Sequence, residues 1–128
     1  MYRKPTSKTG IGRIWKALFN SLDGLGYAIR HEAAFRQELY TIAVLLVILW
    51  FLPLSPVWKG VLLFATLSVL VVELLNSAIE TVVDLVSPEF HDLAKRAKDL
   101  GSAAVMVSLI LAGLLWIIAI ISVYMNAS

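Results

Sequence analysis

The stretch VLLFATLSVLVVELLNSAIETVVD, residues 61–84, changes character halfway along. Its first half is apolar apart from Thr66 and Ser68, whereas its second half carries Glu73, Asn76, Glu80 and Asp84. These four stand at i, i+3, i+7 and i+11, so at about 100° per residue they share one narrow helical face, with Ser77 beside it. An ionised carboxylate at the centre of a bilayer costs roughly 2.5–3.5 kcal/mol even on the lenient insertion scale. A helix this apolar does not carry two glutamates without compensation. Asn76 and Ser77 alone would read as polar glue between helices. With the glutamates, the stripe reads as functional: a proton relay, an ion site, metal ligands or a general base. Spacing does not choose among these.

The flanking sequence has the same membrane character. The chain has 128 residues, 59% hydrophobic and 16% charged, against about 25% charged in soluble domains. Its apolar residues clump into runs instead of alternating. Three spans are expected. One covers 33–52, with the core TIAVLLVILWFL, and stops at the prolines of 53–56. The next covers 57–86 and the last 100–125. The second exceeds the ~20 residues a bilayer core needs, and its polar end, IETVVDLVSPE, is the one expected to protrude. The rise of about 1.5 Å per residue puts Glu73 and Glu80 roughly 10 Å apart along the axis, with Asp84 wet, Glu80 interfacial and Glu73 inside the leaflet.

Basic residues set the expected orientation. Residues 1–38 hold seven (Arg3, Lys4, Lys8, Arg13, Lys16, Arg30, Arg36) and the first loop holds only Lys59. The second loop holds Lys95, Arg96 and Lys98, and the C-terminal tail holds none. The N-terminus and the 87–99 loop are therefore expected in the cytoplasm. Lys95 and Arg96 are read as ordinary cytoplasmic-side charge. The early basic residues are not followed directly by a short apolar run and cleavage site, so the N-terminus is expected to stay on the mature protein. Before the first span, Ile11, Ile14, Trp15, Leu18, Phe19, Leu22 and Leu25 recur at helical spacing opposite Arg13, Lys16, Asn20 and Asp23. This predicts an amphipathic surface helix over about 9–31, with Gly24 and Gly26 marking a bend toward the first span. Ser87 is expected to cap a further helix with Pro88 in its first position and Glu89 complementing the dipole. No linker divides the chain, so one domain over 1–128 is expected.

Several chemistries are excluded. There is no cysteine, so no disulfide or thiolate metal site. The net charge of +2 and the lack of a basic, aromatic-interleaved stripe exclude nucleic acid as a partner. His31 and His91 stand at no metal-ligand spacing, and no common nucleotide-binding or nucleophile motif is present. Glu32 and Glu38 flank the start of the first span. Glu38 divides evenly between a solvated interfacial charge and a functional group. Glu32 is the better metal ligand, provided packing brings it to Glu80, because carboxylates with water and phosphate oxygens suit Mg²⁺. Lys98 and Asp99 are placed to meet phosphates.

EAAFRQE (32–38), VELLNSAIETVVD (72–84) and HDLAKRAKDLGSAAV (91–105) resemble the small prokaryotic diacylglycerol kinases of the inner membrane. The likeness runs over nearly the whole chain, from about residue 10 to residue 124, and the motif E-L-L-N-[ST]-A-I-E-x-V-V-D is highly specific to them. The family includes the undecaprenol kinases of Gram-positive bacteria. EAAFRQE and KDLGSAAV look like the Gram-negative branch, while SPEFHDLAKRAKD has an undecaprenol-branch flavour. The resemblance implies an all-α membrane protein: a surface helix and three transmembrane helices assembled as a homotrimeric bundle. It also implies ATP- and Mg²⁺-dependent phosphorylation of diacylglycerol. Glu73 would be the catalytic base, Glu32 and Glu80 would hold the metal and meet the nucleotide, and Asn76 would organise the stripe. Arg13, Asn20, Lys98, Asp99 and the Glu89-Phe90-His91 stretch would line ATP. Ser102, the Phe35 region and Lys59 would lie along the lipid with Glu73. Asn20 stands where the family often has tyrosine. Phe90 replaces another tyrosine, keeping the ring and losing the hydroxyl. Outside this class, a non-catalytic scaffold or transporter subunit could use the same acids for ions.

Overall fold

The computed structural model describes residues 10–127, which form four helices and no strand: α1 Ile11–His31, α2 Ala33–Phe51, α3 Pro56–Val86 and α4 Asp92–Ala127. Arg3, Lys4, Lys8 and the first residue of the expected surface helix lie outside the described residues. The last three helices are each long and apolar enough to cross a membrane. At about 1.5 Å per residue α3 is about 46 Å long, against a hydrocarbon core of about 30 Å. The excess anticipated for the second span is therefore present.

The bend expected at Gly24 and Gly26 is not there, because α1 runs through both glycines. The chain breaks instead at Glu32, a single extended residue (φ −105°, ψ 101°) between two helices. Arg36, one turn into α2, explains why. Its guanidinium donates to the carbonyls of Ile29 (3.0 Å) and Arg30 (2.9 Å), two of the orphan acceptors at the end of α1. A glycine only permits a bend, whereas a cation bonded to the last turn fixes where the helix stops.

Between α2 and α3 the connection is short. The Ser55 hydroxyl caps α3 by accepting from the Trp58 N–H at 3.3 Å, and Pro56 follows in the first turn, where its missing N–H has no cost. Lys59 then reaches back, its ammonium donating to the Trp50 carbonyl at 3.1 Å, which satisfies an acceptor at the end of α2.

The helix expected to begin at Ser87 and Pro88 begins instead at Asp92. Ser87 ends α3, its N–H still bonded to Val83 O (2.8 Å) and its hydroxyl donating to Glu89 O (3.0 Å). Ser87 is thus the C-cap of α3 and not the start of a new helix, with its hydroxyl hydrogen turned to the 87–91 loop. His91 starts the next helix instead, with Nδ1 accepting from the Leu93 N–H at 3.1 Å.

The most extensive packing is between antiparallel α3 and α4, with α2 on the other side of α3 and α1 against α2. Leu49, Leu62, Trp116 and Ala119 form the apolar core toward the α2–α3 connection. Three polar links cross the α3–α4 seam in step with its antiparallel register. Trp116 Nε1 donates to Thr66 Oγ1 at 2.9 Å, Asn76 lies on Gly101, and Lys98 pairs with Asp84 at 2.5 Å. The carboxylate stripe thus faces the other helices of the chain.

Candidate active site

On α3, Glu73 and Asn76 are two of the three buried polar side chains among the described residues, at 7% and 8% exposure; the third is Thr66. No side chain hydrogen-bonds the Glu73 carboxylate among those residues, and no cation pairs with it. Glu80 and Glu32 lie close enough to act on its charge, as does Glu38 from α2. Glu32, Glu38 and Glu80, from the α1–α2 junction, α2 and α3, are thus each within electrostatic range of Glu73, although the four are up to 48 residues apart in sequence (32 to 80). Glu38 belongs to this group. It is half-buried with Oε2 unpartnered, so the solvated reading of that residue falls.

Glu32 enters because the α1–α2 break aims it inward. It lines a cleft of about 490 Å³ with Ser21 and Tyr27 of α1 and with Leu74, Ser77 and Thr81 of α3. Ser77, read from sequence as helix glue, therefore borders open space. Asn76 Nδ2 donates to Glu80 Oε1 at 3.4 Å, while Asn76 Oδ1 is buried without a hydrogen-bond donor among the described residues. Glu32 and Glu80 make no ion pair among the described residues. Within those residues no three His, Asp or Glu side chains are gathered tightly enough to chelate a metal. Two unpaired carboxylates nevertheless fit Mg²⁺, which characteristically takes one or two from protein and its remaining oxygens from water and phosphate.

A second cleft, of about 370 Å³, opens between the end of α3 and the start of α4, and Glu89, Phe90, His91, Lys98 and Asp99 line it with Asp84. The 87–91 loop folds back over α4 to bring them together. Lys98 is held by Asp84, and Asp99 by Lys95 at 2.6 Å. Lys95, read as background charge, thus lies in the cleft wall.

Other expected site residues stand apart. Arg13 and Asn20 are exposed on α1, with Arg13 about 28 Å along that helix from Glu32. Lys59 is fourteen residues from Glu73, about 21 Å along α3, and serves the end of α2. Phe35 is buried, at 2% exposure, and Ser102 is exposed beside Gly101. His31 is occupied locally, its Nδ1 on Tyr27 O and its ring stacked on Tyr27 at 4.3 Å. Sequence reading missed Gly101, which is buried against Asn76. The available signal was a lone glycine within a strong helical pattern.

Comparison with known proteins bears on this geometry. The family described as Prokaryotic diacylglycerol kinase matches residues 19–120. The diacylglycerol kinase of Escherichia coli is 44% identical over 110 residues, covering 86% of this chain and 90% of that protein. That of Pseudomonas aeruginosa is 45% identical over 109 residues, covering 85% and 89%. That of Helicobacter pylori strain J99 is 37% identical over 125 residues, covering 98% of both. With the acidic stripe inside the matched region and the likeness spanning most of both chains, this chain belongs to the prokaryotic diacylglycerol kinase family.

Proposed function

We propose that this chain phosphorylates diacylglycerol to phosphatidic acid at the cytoplasmic face of the bacterial inner membrane, using ATP with Mg²⁺. The observation that carries the reading is Glu73, a buried carboxylate with no hydrogen bond or ion pair among the described residues, within electrostatic range of three further carboxylates in a chain of this family. A base must have a free lone pair where the substrate hydroxyl arrives, and Glu73 has one. It takes the proton of the lipid's primary alcohol. The alcohol oxygen bonds to the γ-phosphorus, the bond to the β–γ bridging oxygen breaks, and ADP leaves. The apolar groove of about 430 Å³ beside Glu38, lined by Thr41, Ile42, Val69 and Trp116, gives acyl chains a place next to that base.

Glu32 and Glu80 hold the metal, which supplies neutralisation of phosphate charge as the reaction proceeds. The cleft of Glu89, Phe90, His91, Lys98 and Asp99 receives the nucleotide. Lys98 exchanges Asp84 for a phosphate, and the Phe90 ring, 81% exposed, is available to stack on a base. Positioning and charge neutralisation suffice for phosphoryl transfer, so no phosphate-binding glycine loop is needed.

The chain acts as a single domain over 1–128. α1 lies on the cytoplasmic membrane surface, with Trp15, Leu18, Phe19 and Leu22, all exposed in the isolated chain, sunk into lipid. A homotrimer completes the assembly, and the distance of Arg13 from Glu32 leaves it free to serve a neighbouring subunit's site, whereas Lys59, on the outward side, serves the end of α2. A second reading, undecaprenol kinase, rests on the SPEFHDLAKRAKD stretch. Purified protein offered diacylglycerol and undecaprenol in parallel with labelled ATP separates the two. Phosphatidic acid is expected, and exclusive turnover of the polyprenol overturns the first reading. No phosphorylation of any lipid points to the scaffold.

A further inference from the structure

Where α4 crosses the acidic stripe, it does so at its one buried glycine. Gly101 lies against Asn76 so closely that a Cβ added there would run into Asn76 Oδ1, with the carboxamide carbon 3.3 Å away and the Asn76 backbone at 3.9 Å. By contrast, a Cβ at Gly113, on the same helix, would meet nothing within 4 Å. Asn76 is buried on the seam with its other end turned to Glu80, so a side chain at 101 makes room only by turning the carboxamide. Among the described residues, its Oδ1 has no N–H or O–H donor. That oxygen occupies the space where a Cβ of residue 101 would stand. The carboxamide is therefore oriented by shape. Gly101 provides the slot for the oxygen end, and the nitrogen end is thereby pointed at Glu80.

We propose that Gly101 is a positioning residue for the metal-binding carboxylate. The absence of a side chain at 101 sets the Asn76 carboxamide, and Asn76 Nδ2 in turn holds Glu80 in the orientation that binds a divalent cation. Any larger residue at 101 turns Asn76 away and releases Glu80. This rests on the reading of Glu80 as a metal ligand. Partners that orient a ligating side chain are worth about 10- to 100-fold in metal affinity, and that is the effect expected here.

The test measures Mn²⁺ binding, by electron paramagnetic resonance, to full-length protein in detergent micelles without nucleotide or lipid, alongside the Mg²⁺ dependence of turnover. Gly101→Ala is expected to weaken Mn²⁺ binding about 10- to 100-fold. The Mg²⁺ concentration for half-maximal turnover should rise in parallel, while the rate at saturating Mg²⁺ changes far less. Asn76→Ala, which leaves Gly101 intact, is expected to weaken binding to the same degree. The double variant should be no worse than either single one, because the two changes act through one contact. Gly101→Ala with unchanged Mn²⁺ affinity, or losses that add in the double variant, overturns the proposal. Should Gly101→Ala fail to assemble, Asn76→Ala decides alone, and normal binding there overturns it equally. Glu80→Gln separates the two layers. If it binds Mn²⁺ normally, the metal assignment falls and takes the proposal with it. If it binds weakly while Asn76→Ala binds normally, only the positioning role falls.

Discussion

Replacing Glu73 by glutamine removes one ionisable oxygen and almost nothing else. The volume is conserved, and the carboxylate has no hydrogen bond or ion pair among the described residues for the substitution to break. General-base catalysis contributes about 10²–10⁴-fold, which is about 2.7–5.4 kcal/mol of barrier at 1.36 kcal/mol per decade. The expected turnover of Glu73→Gln is therefore lower by about 10²–10⁴-fold. The KM for ATP should be nearly unchanged, since the cleft proposed for the nucleotide lies ten or more residues further along the chain. Folding should hold or improve, because the substitution removes a charge that Glu80, Glu32 and Glu38 crowd. On the insertion scale an intramembrane carboxylate costs roughly 2.5–3.5 kcal/mol, part of which an amide recovers. The assay is transfer of labelled phosphate to diacylglycerol in mixed micelles, run beside unfolding by a denaturing detergent. Turnover within about threefold of the parent, less than 0.7 kcal/mol on the same scale, refutes the base assignment. A large loss of turnover accompanied by loss of folded protein refutes the argument that Glu73 is structurally dispensable.

Three other outcomes follow from the packing. Phe35→Ala empties one of the two largest fully buried side chains; a loss of about 3–5 kcal/mol in unfolding experiments is expected, and a loss below 1 kcal/mol would mean that Phe35 faces lipid. Trp116→Phe deletes the donor to Thr66 while Thr66 keeps its bond to Leu62 O at 2.6 Å. It should cost about 0.6–1.7 kcal/mol for the interhelical bond, with little added effect in a Thr66→Val background. Lys98→Met should raise the KM for ATP by about tenfold or more, because it removes a charge-assisted bond to phosphate. Lys95→Met, which removes only the exposed pair with Asp99, should change it less than about fivefold, a surface pair being worth about 0–1 kcal/mol; equal effects would remove the distinction drawn between these lysines.

The sequence by itself determined the three spans and the acidic stripe. Both are local in origin: a run of apolar residues demands lipid or a core whatever surrounds it, and the i, i+3, i+7, i+11 spacing puts Glu73, Asn76, Glu80 and Asp84 on one face of any helix. Helix ends were less legible. Gly24 and Gly26 permit a bend, and Ser87 permits a cap. The ends were set instead by groups outside the local pattern, the Arg36 guanidinium on the Ile29 and Arg30 carbonyls and the His91 ring on the Leu93 N–H. Only the tertiary structure decided which neighbours the stripe has. Glu32 and Glu38 come within electrostatic range of Glu73 because the chain turns once at Glu32 and α2 then packs along α3. Gly101 meets Asn76 because α3 and α4 lie antiparallel in one register, a contact between residues 25 positions apart that no helical period encodes. Periodicity fixes the face on which a side chain stands. What that face meets depends on where the other helices close against it.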